Sequence, residues 1–456
     1  MKKTFLLAAA TLFSAYVQAA SDSLTIHRIS DDIMLNGTCY NSLRTLCKTI
    51  GHRISGSPQA AKAVIWGQKA MEDAGADRVW LQAVDVPKWV RGKESLKLPL
   101  GPNNSFISVP MLSLGNSEGT KGKVLKADII MVNNFDEFKN LTEAEVQGKI
   151  VFFNYRFRQD WVNTFAGYGD AVKYRWASPS IAAAKSAAGV IIRSISTGAD
   201  DVPHTGSMHY SDTTKKIPEV AIGNQTADKL EEACHSRKEV TAVLQSECHM
   251  DGTAPSYNVI GEIKGSEHPE EIVVFGGHLD SWDVGEGAHD DGAGCVQSIE
   301  VIRTLKALGI HPKRTIRAVL FMNEENGTRG GAAYADSALK NKEKTILALE
   351  TDAGGFSPRG FGTEGMKPNQ KMKIQGYAPL FLPYGIYDFS KDEGGADISF
   401  LGKQGVPMMG LLPDPQRYFD YHHTNADVFE QVNHRELKLG AVAMTSMVYL
   451  ISEYGL

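Results

Sequence analysis

The chain has 456 residues, of which 22% are charged, and a formal net charge of -5. That length allows two or three domains and a sizeable core. The near-balanced charge argues against a nucleic-acid binder, which needs a basic patch or stripe.

Residues 1–19 read as an export signal. Lys2-Lys3 is the positive start, Phe5 to Phe13 the apolar stretch, and Val17-Gln18-Ala19 the small-residue context that puts the cut after Ala19. The apolar run is shorter than the ~20 residues a membrane span needs, and no later stretch is long and apolar enough. The expectation is a periplasmic or secreted protein with no membrane attachment once the signal is removed. The chain has five cysteines. Cys234 and Cys248 flank a short polar loop and are candidates for pairing, as are Cys39 and Cys47; Cys295 reads as a buried thiol. No Cys/His spacing suits a structural zinc finger.

From 20 to 112 the pattern predicts helix, helix, strand, as the first part of a catalytic domain. The first helix is expected over about 31–50. The second is capped by Ser57, with Pro58 at its first position. An alternating strand follows over 78–86, RVWLQAVDV. From 113 to 256 short strands alternate with turns, at 129–132, 149–153, 189–192 and 218–222, with an Ala-rich helix over 178–188. No ligand-spaced cluster of acids and histidines lies there, so this block is predicted to be a separate β-rich insert. Gly115-Asn116-Ser117-Glu118-Gly119 matches the GxSxG nucleophile pattern, which needs a helix after it. Lys121-Gly122-Lys123 lead into another strand instead, so Ser117 reads as a turn residue.

From 257 to 456, the second part of the catalytic domain, strand and helix alternate. The fold class expected is α/β, a mostly parallel (mixed) sheet flanked by helices on both faces, ending in a helix over 434–454. The stretch EIVVFGGHLDSWDVGEGAHDDGAG, Glu271 to Gly294, organises this part. Its apolar run Ile272 to Phe275 reads as a strand, with His278 and Asp280 just beyond. Asp290-Asp291-Gly292 then open a helix with Val296, Ile299, Ile302 and Leu305 at three-residue steps. A second strand, Thr315 to Met322, is followed by Glu324-Glu325. A third, Ile346 to Leu349, is followed by Asp352. A fourth, Gly405 to Leu412, has His422-His423 in the loop beyond. Open α/β sheets keep their chemistry at such strand ends. A lone His-x-Asp is ordinarily a hydrogen-bonded pair, but four strand ends in register that all present acid or imidazole point to one site.

Oxygen and imidazole donors without thiolate suit zinc. Asp290, Glu325 and Asp352 bring three negative charges, and the histidines are neutral donors. One Zn²⁺ leaves the site anionic, whereas two with one hydroxide balance it. Five protein ligands serve two metals if one carboxylate bridges, and each metal keeps an open position. Such a pair shares a water whose pKa falls towards 7. Of the adjacent Glu324 and Glu325, one can bind metal while the other faces the water as general base.

The motifs GGHLDSW (276–282), AHDDGAG (288–294), NEENG (323–327), ETDAGG (350–355) and YHHTNAD (421–427) resemble those of the zinc exopeptidase family that includes bacterial aminopeptidases and glutamate carboxypeptidase. The likeness covers nearly all of the mature chain. The insert, with AAGVII at 187–192, resembles the protease-associated domain found in some members. The resemblance implies two zinc ions per chain. One takes His278 and Asp352, the other Glu325 and His423, and Asp290 bridges them. Glu324 is implied as the base, and Asp280 as the carboxylate that orients His278. The family often has a cis peptide between the positions of Asp290 and Asp291. His423 is preferred to His422 because it begins the family's His-Thr-x-x-Asp, here ending at Asp427; His289 is expected not to be a ligand. Asp397, in GGADISF, and Tyr421 are expected to touch substrate.

The implied function is that of a secreted metallo-exopeptidase. It would hydrolyse dipeptides or short peptides by a zinc-bridged water with Glu324 as base. Aminopeptidase, dipeptidase and carboxypeptidase specificities stay open, because they depend on how loops meet. Two rivals are a non-catalytic peptide-binding module of the same fold and a mono-zinc, glutaminyl-cyclase-like enzyme. The filled ligand positions weigh against the first, and the presence of both His278 and Asp352 against the second. The expected partner is a small peptide, with no nucleic acid; a homodimer rests on the resemblance alone.

Overall fold

The computed structural model describes residues 20–456, so the expected signal, 1–19, lies outside the described residues. Two sheets organise the chain. The first has seven strands in the order Arg78–Val90, His249–Ile263, Arg314–Phe321, His268–His278, Lys344–Glu350, Met408–Pro413 and Pro358–Glu364. Its four middle strands, from Arg314–Phe321 to Met408–Pro413, run parallel. The outer strands on both sides are antiparallel.

The parallel strands are buried on both faces, which is why they read as continuous apolar runs. Their side chains alternate between two cores. Val273, Phe275, Ile316, Ala318, Leu347 and Leu349 join one core together with Ile299 and Ile302 of helix Ala293–Ala307 and Met444 and Val448 of helix His434–Tyr454. Ile272, Val274, Val319, Phe321 and Ala348 face the other, against Tyr334 and Ala338 of helix Arg329–Lys340 and Leu401. The α/β class with helices on both faces is therefore what the chain adopts.

The second sheet has eight strands, ordered Ile107–Val109, Glu94–Leu98, Thr241–Ser246, Leu125–Val132, Ile150–Phe153, Gly189–Arg193, Glu219–Ile222 and Met111–Ser113. It starts earlier than the expected boundary at 113. Glu94–Leu98 pairs with both Ile107–Val109 and Thr241–Ser246, so the chain leaves the first sheet soon after Val90. It returns before 257, because His249–Ile263 is one long strand antiparallel to Arg78–Val90. Short edge strands such as Ile107–Val109 carry too few apolar residues to announce themselves in sequence.

The predicted helix over 31–50 is broken. Residues 20–36 are helical, and helix resumes at Cys39–Thr45 and widens into a π-helix at Leu46–Ile50. The break falls where the Glu300 carboxylate accepts hydrogen bonds from the Thr38 amide (2.9 Å) and hydroxyl (3.1 Å). The cysteine pairings do not form: all five thiols are free, and Cys39, Cys47, Cys248 and Cys295 are buried. Ser117 sits in a turn with its hydroxyl accepting from the Glu219 amide at 3.0 Å, and no helix follows it. Among the described residues no helix is long and apolar enough to cross a membrane.

Helix Pro58–Asp73 shows how local signals become packing. The Ser57 hydroxyl accepts from the Ala60 amide at 3.0 Å, satisfying one of the orphan donors of the first turn. The buried face, Ala60, Ala63, Val64, Gly67 and Met71, then lies on the first sheet. A Cβ at Gly67 would stand only 3.0 Å from Leu320 Cδ1, so glycine sets how closely helix and sheet approach. Replacing Ser57 with Ala is expected to cost about 1 kcal/mol of stability, read as a lowered urea midpoint with unchanged slope.

Candidate metal centre

The four parallel strands end along one edge of the first sheet, and the expected ligands stand there. His278 closes its strand, Glu324-Glu325 follow Phe321 in a tight turn, and Asp352 follows Glu350. His423 arrives from the last parallel strand by way of the short helix Tyr418–Tyr421. Asp290 lies in the turn that opens helix Ala293–Ala307, and its peptide bond to Asp291 is cis.

Asp290 is the centre of this cluster. Its Oδ1 is 3.1 Å from His278 Nε2, and its Oδ2 is 3.2 Å from His423 Nε2. His278 Nε2 is also 3.4 Å from Asp352 Oδ1, and His423 Nε2 is 3.1 Å from Glu325 Oε2. One carboxylate thus stands between two imidazole–carboxylate pairs. His422 is farther, with Nε2 3.8 Å from Asp290 Oδ2, and its ring stacks on that of His423 at 3.5 Å. His289 points away: its Nδ1 accepts from the Gly355 amide at 3.1 Å, and its ring stacks on Phe356.

Both inward histidines can present Nε2 with the proton on Nδ1. His278 Nδ1 is 3.0 Å from the Asp280 carbonyl, and His423 Nδ1 is 3.3 Å from the Thr205 carbonyl. The orienting group for His278 is therefore the main chain of Asp280, not its carboxylate as expected. The carboxylate is 3.8 Å from Nδ1, too far for a hydrogen bond. Its Oδ1 instead accepts the amides of Asn323 (2.7 Å) and Glu324 (3.1 Å). Other buried acids hold backbone in the same way. Asp291 accepts from the His278 and Gly294 amides. Asp427 accepts from those of His289 and Asp290, and Glu350 from Ala396, Asp397 and Ile398. Each ties one turn of the cluster to a neighbouring segment.

The electrostatics are those of too many anions in one dry place. Burial drives Glu325 well above the usual carboxyl range, and the Asp290 carboxylate adds to it. Burial likewise pushes Glu324 up to about 8, with the carboxylates of Asp352, Asp290 and Asp280 acting in the same direction and His278 against it. At His278 burial disfavours the charge, but Asp352 and Asp290 outweigh it and hold the imidazolium well above the ordinary histidine value. Asp290 Oδ2 and Asp352 Oδ1 are buried without a hydrogen-bond donor. Buried carboxylates left this way call for cations. Two overlapping donor groups, His278–Asp290–Asp352 and Asp290–His422–His423, are close enough to hold an ion and share Asp290. Nitrogen and oxygen donors with no thiolate suit zinc.

Two cavities flank Asp352. One, about 570 Å³, exposes Asp290, Glu324, Glu325 and His423; the other, about 490 Å³, runs past Glu350 and Gly410. Phe165, Asp352 and Ala396 line both. Glu324 is half-buried, unlike the buried Glu325, and so can meet a substrate. Neither expected substrate contact lines these walls. Asp397 is 1% exposed behind Ala396, and Tyr421 stacks on His289 at 5.6 Å.

Helices and a loop between strands of the second sheet complete the larger cavity with residues that sequence reasoning missed. Tyr168, Arg175, Trp176 and His209 form part of its wall. The Arg175 guanidinium donates to the Tyr168 hydroxyl (2.7 Å) and the Ser207 carbonyl (3.2 Å), and stands 3.4 Å from His423. It is the one lysine or arginine among the described residues of that wall. No motif marks it, because its neighbours in sequence lie far from every ligand.

The family profile described as Peptidase family M28 matches residues 258–447. Carboxypeptidase Q of Xenopus laevis is 35% identical to this chain over 417 residues, covering 91% of this chain and 86% of that one. The crystal structure of a peptidase M28 precursor from Shewanella amazonensis superposes with a TM-score of 0.91 at 31% identity, over 96% of this chain and 98% of that one. A zinc aminopeptidase from Bacillus subtilis shares the fold, with a TM-score of 0.66 at 20% identity over 91% of this chain and 95% of that one. Similarity along nearly the whole of both chains, together with the buried imidazole–carboxylate cluster, makes this chain a metallopeptidase of peptidase family M28.

Proposed function

We propose that this chain is a secreted or periplasmic di-zinc exopeptidase that hydrolyses dipeptides or short peptides. The observation that carries the reading is Asp290 standing between the His278–Asp352 and His423–Glu325 pairs. Those five side chains would hold the two ions. Zinc bound there would supply Lewis acidity and an activated water. Export rests on the signal pattern of residues 1–19. The second sheet is read as a protease-associated-type insert, a reading supported by its excursion from the first sheet between Val90 and His249.

Glu324 is the base in this reading. It lines the larger cavity, and its amide is fixed by Asp280. Its carboxylate takes a proton from the attacking water and passes it to the departing amine, so no net proton is gained or lost. The cavities on either side of Asp352 give room for the residues on both sides of the scissile bond.

Arg175 favours a carboxypeptidase or dipeptidase over an aminopeptidase acting on long chains. A fixed cation in the cavity wall suits the free carboxylate of the leaving residue. The relative from Xenopus laevis carries a carboxypeptidase name.

Glu324→Gln is expected to keep about two zinc ions per chain by elemental analysis and to lose ~10²–10⁴ in kcat. Wild-type turnover in that variant removes Glu324 as base. A single zinc in the parent chain favours the cyclase-like arrangement, and no metal-dependent hydrolysis of any peptide favours the binding module. The base must be ionised, so kcat/KM falls as pH drops through the Glu324 ionisation. That limb starts from about 8 in the metal-free charge balance and moves lower when cations are bound; Glu324→Gln abolishes it. Arg175→Ala is expected to raise KM for free dipeptides about 10- to 100-fold, the worth of a charge-assisted hydrogen bond, and to leave C-amidated peptides unaffected. Equal loss on both substrate types rules out carboxylate recognition by Arg175.

A further inference from the structure

We infer that Arg53 is a positioning residue of the metal centre, fixing the loop that joins His278 to Asp290. The inference rests on the metal reading of that site. Arg53 lies just ahead of helix Pro58–Asp73, far from every ligand in sequence. Its side chain is wholly buried, and its guanidinium binds main-chain carbonyls along one loop. Nε donates to Leu279 O at 2.6 Å, Nη1 to Glu286 O at 2.6 Å, and Nη2 to Gly287 O at 2.9 Å. Nη1 also reaches Gly51 O at 3.5 Å. The two main chains are tied as well: the Arg53 amide donates to Ser281 Oγ at 3.1 Å, and the Ser281 amide to Arg53 O at 3.4 Å.

Leu279 follows His278, and Gly287 lies just before Asp290, so the fork grips both ends of the loop between two ligands. A loop whose carbonyls point inward leaves acceptors that must be satisfied. Arginine does this with donors in one rigid plane, which a lysine ammonium cannot copy. The close approach needs glycine at 287. A Cβ there would lie 2.8 Å from Arg53 Nη1, and the residue has φ +58. The same segment grips the other ligand turn. Ser55 Oγ donates to Asn326 Oδ1 and accepts from Asn323 Nδ2, both at 2.8 Å. Residues 53–55 therefore hold the His278–Asp290 loop and the Glu324–Glu325 turn at a set spacing.

A buried guanidinium is costly to desolvate, and an apolar side chain in its place would leave the Leu279, Glu286 and Gly287 carbonyls without a donor. The arginine satisfies those carbonyls and in doing so fixes the spacing of His278 and Asp290. Groups that orient ligands from behind are typically worth 10- to 100-fold in metal affinity.

The test uses the full mature chain and zinc alone as probe. Zinc affinity is measured by competition with a chromophoric chelator, and thermal midpoints are taken without and with saturating zinc. Arg53→Lys is expected to bind zinc about 10- to 100-fold more weakly, with a smaller zinc-induced rise in midpoint and a lower kcat at little-changed KM. A purely structural role lowers both midpoints equally and leaves the zinc-induced rise at its wild-type size; that result overturns the inference. Ser55→Ala is the milder companion and is expected to weaken zinc in the same direction. If Arg53→Lys does not fold, Ser55→Ala decides, and wild-type zinc affinity in it overturns the inference. A wild-type chain that takes up no zinc overturns the metal reading and this one together. A zinc-loading wild type beside an equally loading Arg53→Lys overturns only the role of Arg53.

Discussion

Mutual repulsion among buried carboxylates is the constraint around which the catalytic half is built. Two unit charges at 4 Å repel by about 4 kcal/mol at an effective dielectric of 20. Asp290, Glu324, Glu325 and Asp352 all sit within reach of one another, and each raises or is raised by its neighbours. The chain handles the outer acids by giving them amides. Asp280, Asp291 and Asp427 accept main-chain N–H groups from the turns that carry Glu324, His278 and Asp290, and Glu350 accepts those of 396–398. Donated amides favour the charged form and fix the turn in one stroke. Of the inner acids only Glu325 receives such a donor, the Trp282 amide at 3.2 Å, and Asp290 Oδ2 and Asp352 Oδ1 are buried with none.

The two sheets meet at the same place. His423 has φ +63, a left-handed conformation costly for a residue with a Cβ. It is held there by the second sheet's loops. The Thr205 amide donates to His423 O at 3.0 Å, and His204 Nδ1 stands 2.7 Å from His422 O. Ser196 and Thr164 hydroxyls bind the Phe419 and Pro415 carbonyls of the approaching segment. The segment that carries the second sheet is thus part of the cluster's surroundings: it fixes His423 and brings Arg175 beside it.

Much of this is legible in the sequence, for a physical reason. Parallel strands buried on both faces must be apolar runs, so their ends can be found, and the residues just past those ends gather at one edge. His278, Glu325 and Asp352 need no more than that, and Asp290 little more. The choice of His423 over His422 leans on the resemblance. The features that stay hidden depend on spacing that no local pattern encodes. The start of the second sheet at Glu94 escapes notice because its edge strands are short. The Asp280 carboxylate is misassigned from sequence because a residue two along from a histidine can face either its ring or the next turn. Nearness in sequence places Tyr421 at the substrate, but its ring turns to His289. Arg53 and Arg175 act across hundreds of residues, and only the folded chain brings them in.

The five unpaired sulfurs bear on how this protein would meet an oxidant. Disulfide exchange proceeds through the thiolate, and burial suppresses it at each position. Cys47 is pushed up to about 12 and half-buried Cys234 to about 11, in both cases chiefly by burial. Burial raises the Cys39, Cys248 and Cys295 thiols as well. An odd number of thiols therefore carries little danger of mispairing once the chain has folded.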